Sequence, residues 1–315
     1  SNPRDTDSVF FLNTELPVDF SIELSNDVFN PNNKDLLSYG FLGSNARRIV
    51  VIDLKVSRIY LDYIKKYFKA NDVNCSVVII DATEENKNIE TLLYLLGEIE
   101  SLGPNRKNEP LIAVGGGALL DIVGMAAGMY RRGIPYIKIP TTLLGIVDAS
   151  IGVKTGINFK DRRNRLGSYN PPVSAYLDKT FLKTLDLIEI SSGLGEILKL
   201  AIIKDLDLFD ILSKHEKNLN NKKFIDCEQA DEVISRSIKG MRDELQENLW
   251  EKNLKRYVDF GHSFSPIPEL RSLKDENVPT LTHGQAVTLD VIFSSIISFN
   301  RGMLSKSDVL KIIKT

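Results

Sequence analysis

The stretch PLIAVGGGALLD, residues Pro110–Asp121, decides how the rest of the chain is read. PLIAV is a short apolar run of strand character, and it passes directly into GGGALLDIVGMAAGMYRR, whose apolar residues fall at helical spacing. A strand that runs through three glycines into a helix brings bare backbone and the helix's unpaired first N–H groups to one point. A pyrophosphate can lie close there. The GxGxxG fingerprint is not met, because position 120 is leucine. Taken alone, the segment serves a nucleotide site and a plain tight turn equally well.

The same rhythm extends to both sides. RRIVVID (Arg47–Asp53) and CSVVIID (Cys75–Asp81) are apolar runs that end in aspartate, and YIKIPTT (Tyr136–Thr142) is a further strand. SRIYLDYIKKYFKA (Ser57–Ala70) and IETLLYLLGEIESL (Ile89–Leu102) carry helical spacing between them. This alternation predicts a parallel sheet covered by helices. Asp53 and Asp81 then end strands on the ligand-binding edge, as partners for a ribose hydroxyl or as caps of the next helix. FSIELSNDVF (Phe20–Phe29) alternates and suits an edge strand or a hairpin. Beyond Tyr176–Asp178, strand signals nearly vanish and helical periodicity takes over. The expectation is a Rossmann-like α/β domain over residues 1–179 and an all-α domain over 180–315.

Composition bounds the function. The 315 residues are 43% hydrophobic and 26% charged with a net charge of −2, and lysine and arginine are spread along the chain. Neither a nucleic-acid partner nor a membrane surface is expected. The two cysteines, Cys75 and Cys227, lie far apart without metal spacing, and the first residues hold no apolar signal core, so a cytoplasmic setting is expected.

Several polar groups sit where a bland reading is strained. Glu196 and Lys199 in SGLGEILKLA share a helix face inside an otherwise apolar segment, where a carboxylate and an ammonium need a partner, a metal or a substrate. Of three histidines, His215 lies among charged residues, whereas His262 in VDFGHSFSP and His283 in LTHGQAV are both glycine-flanked. With Glu196 they would make a three-donor site with an open position, as catalytic zinc prefers, although no short HxxH motif backs it. VDASIGVKTGINFKDRRNRLG (Val147–Gly167) is read as a polar loop, either solvated or an anion pocket.

Taken in order, GGGALLD, YRRG, PTTLLGIVDASIGVKTGIN, RNRLGSY, SGLGEILK, DFGHSFSP and THGQAV resemble the dehydroquinate synthase superfamily, the sugar phosphate cyclases, from about Arg47 almost to the C-terminus. The resemblance implies a metal, zinc or cobalt, on Glu196, His262 and His283. It implies NAD at the turn of Gly115, Gly116 and Gly117, with Asp53, Glu84, Lys87, Asp121, Thr141 and Thr142 around the cofactor and Glu85 beside Glu84. Asp148, Lys154, Asn164 and Lys199 would act on a sugar phosphate, joined by Arg163. A homodimer is implied, with Arg132 reaching the neighbouring subunit's site.

Three positions depart from the dehydroquinate synthases: Met241 stands for a lysine, Asp259 for an asparagine and Pro266 for a histidine. One cation is lost and one anion gained, and a charge pair about 4 Å apart is worth about 4 kcal/mol at an effective dielectric near 20. The pocket therefore suits a sugar phosphate without a carboxylate. ELQENLW, VDFGHSFSP and GVKTGINF look most like the branch that cyclises sedoheptulose 7-phosphate to 2-epi-5-epi-valiolone; the gadusol-forming branch uses the same substrate. Family chains also continue past Thr315, so part of the substrate site is expected beyond it, and Lys255 and Arg256 are candidates for compensating charge. A glycerol-type dehydrogenase shares the two-part plan but would accumulate NADH. A paralogue that binds without turnover is disfavoured by the intact Glu196, His262, His283, Lys154 and Lys199.

Overall fold

A computed structural model describes residues 8–315 except 44, 161 and 276. Six strands form one sheet: β1 (Ser21–Ser25), β2 (Arg47–Asp53), β3 (Asn74–Ile80), β4 (Leu111–Gly115), β5 (Tyr136–Pro140) and, further along, a strand over Ser174–Asp178. The order is β1, Ser174–Asp178, β5, β4, β2, β3, and every pairing is parallel. β4 and β5 are buried throughout, which is why their sequences are continuous apolar runs rather than alternating ones. The alternating FSIELSNDVF supplies an edge strand and no hairpin. Helices α1 (Leu54–Ala70), α2 (Ile89–Leu102) and α3 (Gly117–Met129) alternate with these strands as expected.

At the carboxyl edge β4 ends at Gly115, and Gly116 is the N-cap of α3 with no side-chain cap over the first turn. A side chain at Gly115 would come within 2.6 Å of Leu119 Cδ2, so the Leu119 side chain of α3 packs directly against the bare backbone of the turn. Lys138 of β5 is buried, and its ammonium donates to the carbonyls of Ala149 (2.9 Å) and Gly152 (2.8 Å). These hydrogen bonds pin the single π-turn at Gly145–Ala149, which carries Asp148.

The polar segment read as a loop is a two-stranded antiparallel hairpin, β6 (Lys154–Phe159) with β7 (Arg162–Tyr169). Its charged residues hide the alternation. Gly156 and Gly167 face each other, and a side chain at Gly167 would lie 2.4 Å from the Thr155 carbonyl. Ile157 anchors the hairpin in the core beneath the sheet, among residues that include Leu120 and Val123 of α3. With β6 and β7 placed, Ser174–Asp178 is β8.

From Leu187 onward the described residues form no strand. Six α-helices follow: α4 (Leu187–Lys204), α5 (Leu206–Asn221), α6 (Ala230–Glu247), α7 (Pro266–Lys274), α8 (His283–Asn300) and α9 (Lys306–Lys314). Their core, with Ile197 and Ala201 of α4 and Val287 and Val291 of α8, takes in Leu143, Ile146 and Val147 beyond β5 and Ala175 and Leu177 of β8, so it continues onto the edge of the sheet.

Candidate metal centre

Two glycines set the site. A Cβ on Gly284 would lie 1.7 Å from the Ser192 carbonyl oxygen, and one on Gly195 would lie 2.2 Å from the Gly284 carbonyl oxygen. α4 and α8 therefore touch backbone to backbone, and the Gly284 N–H donates to Ser192 Oγ at 3.1 Å. This contact brings Glu196 of α4 beside His283 at the start of α8. The α8 start is itself fixed by a capping box between Thr282 and Gln285. His262 arrives on a loop fastened to the middle of α8, where Asp290 accepts from the backbone N–H groups of Phe264 (2.5 Å) and Ser265 (2.9 Å).

The three donor atoms converge. Glu196 Oε1 lies 3.3 Å from His283 Nε2 and 3.8 Å from His262 Nε2, and the two Nε2 atoms are 3.4 Å apart. Ligands about 2.0–2.1 Å from a tetrahedral ion are about 3.3–3.4 Å from one another, so the triangle has the size of a zinc face. Each imidazole is oriented through its other nitrogen: His262 Nδ1 is 3.2 Å from the Phe260 carbonyl, and His283 Nδ1 is 3.3 Å from Glu269 Oε2. A proton on each Nδ1 leaves each Nε2 lone pair free for a metal.

The charges fit a cation as well. Glu196 is fully buried and neither of its oxygens has a hydrogen-bond partner among the described residues; Lys199 Nζ lies 2.5 Å from Oε2 but off hydrogen-bond direction. Burial alone would raise the Glu196 pKa, but the Lys199 ammonium and the His283 ring hold it below the usual carboxylate range. Burial lowers His283, yet the neighbouring carboxylates of Glu196 and Glu269 outweigh it and push the ring up to about 9. Burial and Lys199 push His262 down, and burial with the nearby Glu196 raises Asp148. Two carboxylates thus favour positive charge at the trio, which a divalent ion supplies in place of a proton.

Other expected site residues fall into two networks. Lys87, buried, donates to Asp121 Oδ2 (2.5 Å) and to Asn164 Oδ1 (2.6 Å). Arg163 spans Glu84 (Nε to Oε1, 2.9 Å) and Glu269, so it ties the loop after β3 to the carboxylate that orients His283. Asp53 caps α1, accepting from Lys55 N (2.8 Å) and Val56 N (3.2 Å), while its second oxygen accepts from Ala82 N at 3.3 Å. Glu85 is exposed. Thr142 Oγ1 accepts from Gly145 N at 3.0 Å, and Thr141 N donates to the Gly115 carbonyl. Arg132 is exposed in a left-handed turn after α3.

The three departures land differently. Met241 is 2% exposed and belongs to the helical core. Pro266 opens α7. Asp259 is forked by Arg256, whose Nε donates to Oδ2 at 3.0 Å and whose Nη2 meets Oδ1, so its charge is met at once by a cation three residues earlier. The sequence reading missed Glu269, Asp290 and the pairing of Arg256. Glu269 and Asp290 have no spacing signal and are defined only by what the fold brings to them, whereas Arg256 and Asp259, three residues apart, carry a local one. Glu269→Ala is expected to weaken metal binding roughly 10–100-fold with the helical content unchanged, measured by chelator competition.

A glycine turn that opens a helix from a parallel sheet, beside a Glu–His–His trio held on packed helices, defines a metal-site enzyme of the α/β-plus-helical plan. The family model described as 3-dehydroquinate synthase N-terminal matches residues 77–192, and that described as 3-dehydroquinate synthase C-terminal matches residues 193–315. The chain belongs to the 3-dehydroquinate synthase family. It is 44% identical over 310 residues to a 2-epi-5-epi-valiolone synthase of Streptomyces albus, covering 96% of this chain and 74% of that protein. ValA, a 2-epi-5-epi-valiolone synthase from Streptomyces hygroscopicus subsp. jinggangensis solved with NAD+ and Zn2+, superposes with a TM-score of 0.90 at 38% identity, over 96% of this chain and 81% of that one. A 2-deoxy-scyllo-inosose synthase complexed with carbaglucose-6-phosphate, NAD+ and Co2+ gives a TM-score of 0.80 at 25% identity, over 93% and 78% of the two chains.

Proposed function

We propose that this chain is a 2-epi-5-epi-valiolone synthase, which cyclises sedoheptulose 7-phosphate with release of phosphate, using NAD and a divalent metal, zinc or cobalt. The observation that carries the reading is the convergent trio of Glu196, His262 and His283 in a chain 44% identical to such a synthase. When bound, NAD takes up a hydride and returns it, and the metal acidifies a hydroxyl and polarises the ketone derived from it.

The chain's own residues hold and steer the sugar. Glu196, His262 and His283 would ligate the metal. Lys199, buried against Glu196, keeps that carboxylate ionised and offers N–H groups to a hydroxyl. Asp148, on its pinned π-turn, is a proton-handling group beside the trio, its pKa raised by burial. Lys154, Asn164 and Arg163 on the hairpin would grip phosphate and hydroxyls, and orientation of a flexible seven-carbon chain is their main contribution. Gly115–Gly117 with Asp53, Glu84, Lys87, Asp121, Thr141 and Thr142 would cradle NAD, in a part of the chain ending near residue 179. Met241 deprives a carboxylate of a cation. Asp259, paired with Arg256, repels a carboxylate less than its charge alone suggests.

A homodimer in the cytoplasm completes the proposal; both cysteines are free, as a reducing compartment favours, and Arg132 is exposed for a second copy. The protein supplied with sedoheptulose 7-phosphate, NAD and zinc should release phosphate while the NADH signal stays flat, and NMR of the product should show the valiolone ring. A steady rise in NADH would instead make it a dehydrogenase. A gadusol-type product, or efficient turnover of the carboxylated seven-carbon substrate of 3-dehydroquinate synthase, would overturn the assigned specificity.

A further inference from the structure

Lys154 is not free to meet an anion. Its ammonium is paired with Glu251 Oε1, and the same oxygen is paired with Arg256 Nη1. Glu251 Oε2 receives the Tyr169 hydroxyl at 3.4 Å. One carboxylate therefore faces two cations from two directions: Lys154 from the hairpin, and Arg256 from the segment leading to His262.

The loop that presents Glu251 is built for the purpose. Glu251 has φ of 52°, a left-handed conformation that an L-residue with a long side chain adopts only when its surroundings impose it. The surroundings are identifiable. Asn248 closes the loop on itself, donating from Nδ2 to the Asn253 carbonyl (2.6 Å) and accepting from Asn253 N (3.1 Å). Trp250 sets its ring edge against Tyr169 of β7, centroids 5.3 Å apart. The Lys154 side chain remains 54% exposed, whereas Glu251 and Arg256 are each 17% exposed. The lysine is thus the partner able to swing away, and the acid and the arginine form the fixed base.

We propose that Glu251 is a counter-ion latch on Lys154. It holds the ammonium while the anion pocket is empty, yields it to the substrate's phosphate, and retakes it as free phosphate leaves. Arg256 makes the exchange cheap, because the Glu251 oxygen keeps one cation when the other departs. The latch lowers the affinity of the pocket for phosphate as such, so substrate binding depends on the sugar's hydroxyls and product does not accumulate in the site. It rests on the assignment of Lys154 to phosphate binding made above.

The test is the affinity of the full chain, loaded with NAD and zinc, for inorganic phosphate, measured by calorimetry for the wild type and for Glu251→Gln, Arg256→Gln, Lys154→Met and Lys154→Met/Glu251→Gln. Glu251→Gln is expected to tighten phosphate roughly fivefold. Arg256→Gln is expected to weaken it by a similar factor, because Glu251 then has Lys154 alone and Asp259 loses its partner. A merely structural loop would give losses in both. With Lys154→Met present, Glu251→Gln should no longer tighten binding. If Lys154→Met weakens phosphate but Glu251→Gln does not tighten it, the latch is wrong and Lys154 keeps its role. If Lys154→Met leaves phosphate affinity unchanged, the phosphate assignment falls and takes the latch with it.

Discussion

Gly284→Ala is expected to lose more than about 3 kcal/mol of stability and most of the metal affinity, because no side-chain rearrangement can relieve the overlap. The added methyl would sit 1.7 Å from a main-chain oxygen, Ser192 O, so α8 must move off α4 as a body. That movement carries His283 away from Glu196. For a chain of this size a loss of about 3 kcal/mol corresponds to a fall in melting temperature of roughly 4–5 °C. Gly97 is the internal contrast: it lies inside α2 with nothing within 4 Å of an added Cβ, so Gly97→Ala should raise stability by about 0.5–1 kcal/mol. Thermal and urea melts of the two variants, with metal content measured on each, decide the matter. A Gly284→Ala protein that melts like the wild type and keeps its metal would mean the two helices do not touch as described.

The second large effect is chemical. His283→Ala removes one of three donors and the residue that joins Glu269 to Glu196. Bound metal should fall from about one equivalent to a small fraction, and cyclisation by about a thousandfold or more, the scale of losing several kcal/mol of Lewis-acid stabilisation. The fold should survive, since alanine at the first position of α8 leaves the Thr282–Gln285 cap and the Gly284 contact in place. Metal analysis, circular dichroism and phosphate release on one preparation separate these outcomes. Retained metal with lost activity would point to another donor and another role for His283.

The parallel sheet was legible because β2, β3, β4 and β5 are runs of apolar residues broken by helices of clear period, and local pattern is all that such a fold requires. The Gly115–Gly117 turn was legible for the same reason. The hairpin β6–β7 was not. Its strands carry Lys154, Arg162, Arg163 and Arg165, and what makes them strands is the packing of Ile157 into the core and the facing pair Gly156–Gly167. Spacing could not assemble the metal trio, because its donors come from three separate segments; the order of family motifs named them, and the geometry then brought them together. The supporting residues stayed hidden altogether. Glu269 and Asp290 look like any helical acids until the loop bearing His262 is laid across α8. Asp259 looked like a repelling charge until Arg256 was seen to hold it.

The backbone contact between Ser192 and Gly284 spans 92 positions of the chain, and this fixes when the enzyme acquires its ion. On the ribosome, α4 emerges long before α8, and Glu196 gains His283 only once α8 has followed and packed against it. The ion therefore cannot act as a nucleus around which the nascent polypeptide wraps, as zinc does in finger domains that are unfolded without it. The site is complete only in the folded chain, and it opens on its histidine side: the side chains of His262 and His283 are 32% and 26% exposed, that of Glu196 only 1%. The imidazoles therefore form the open side of the site and the carboxylate its floor.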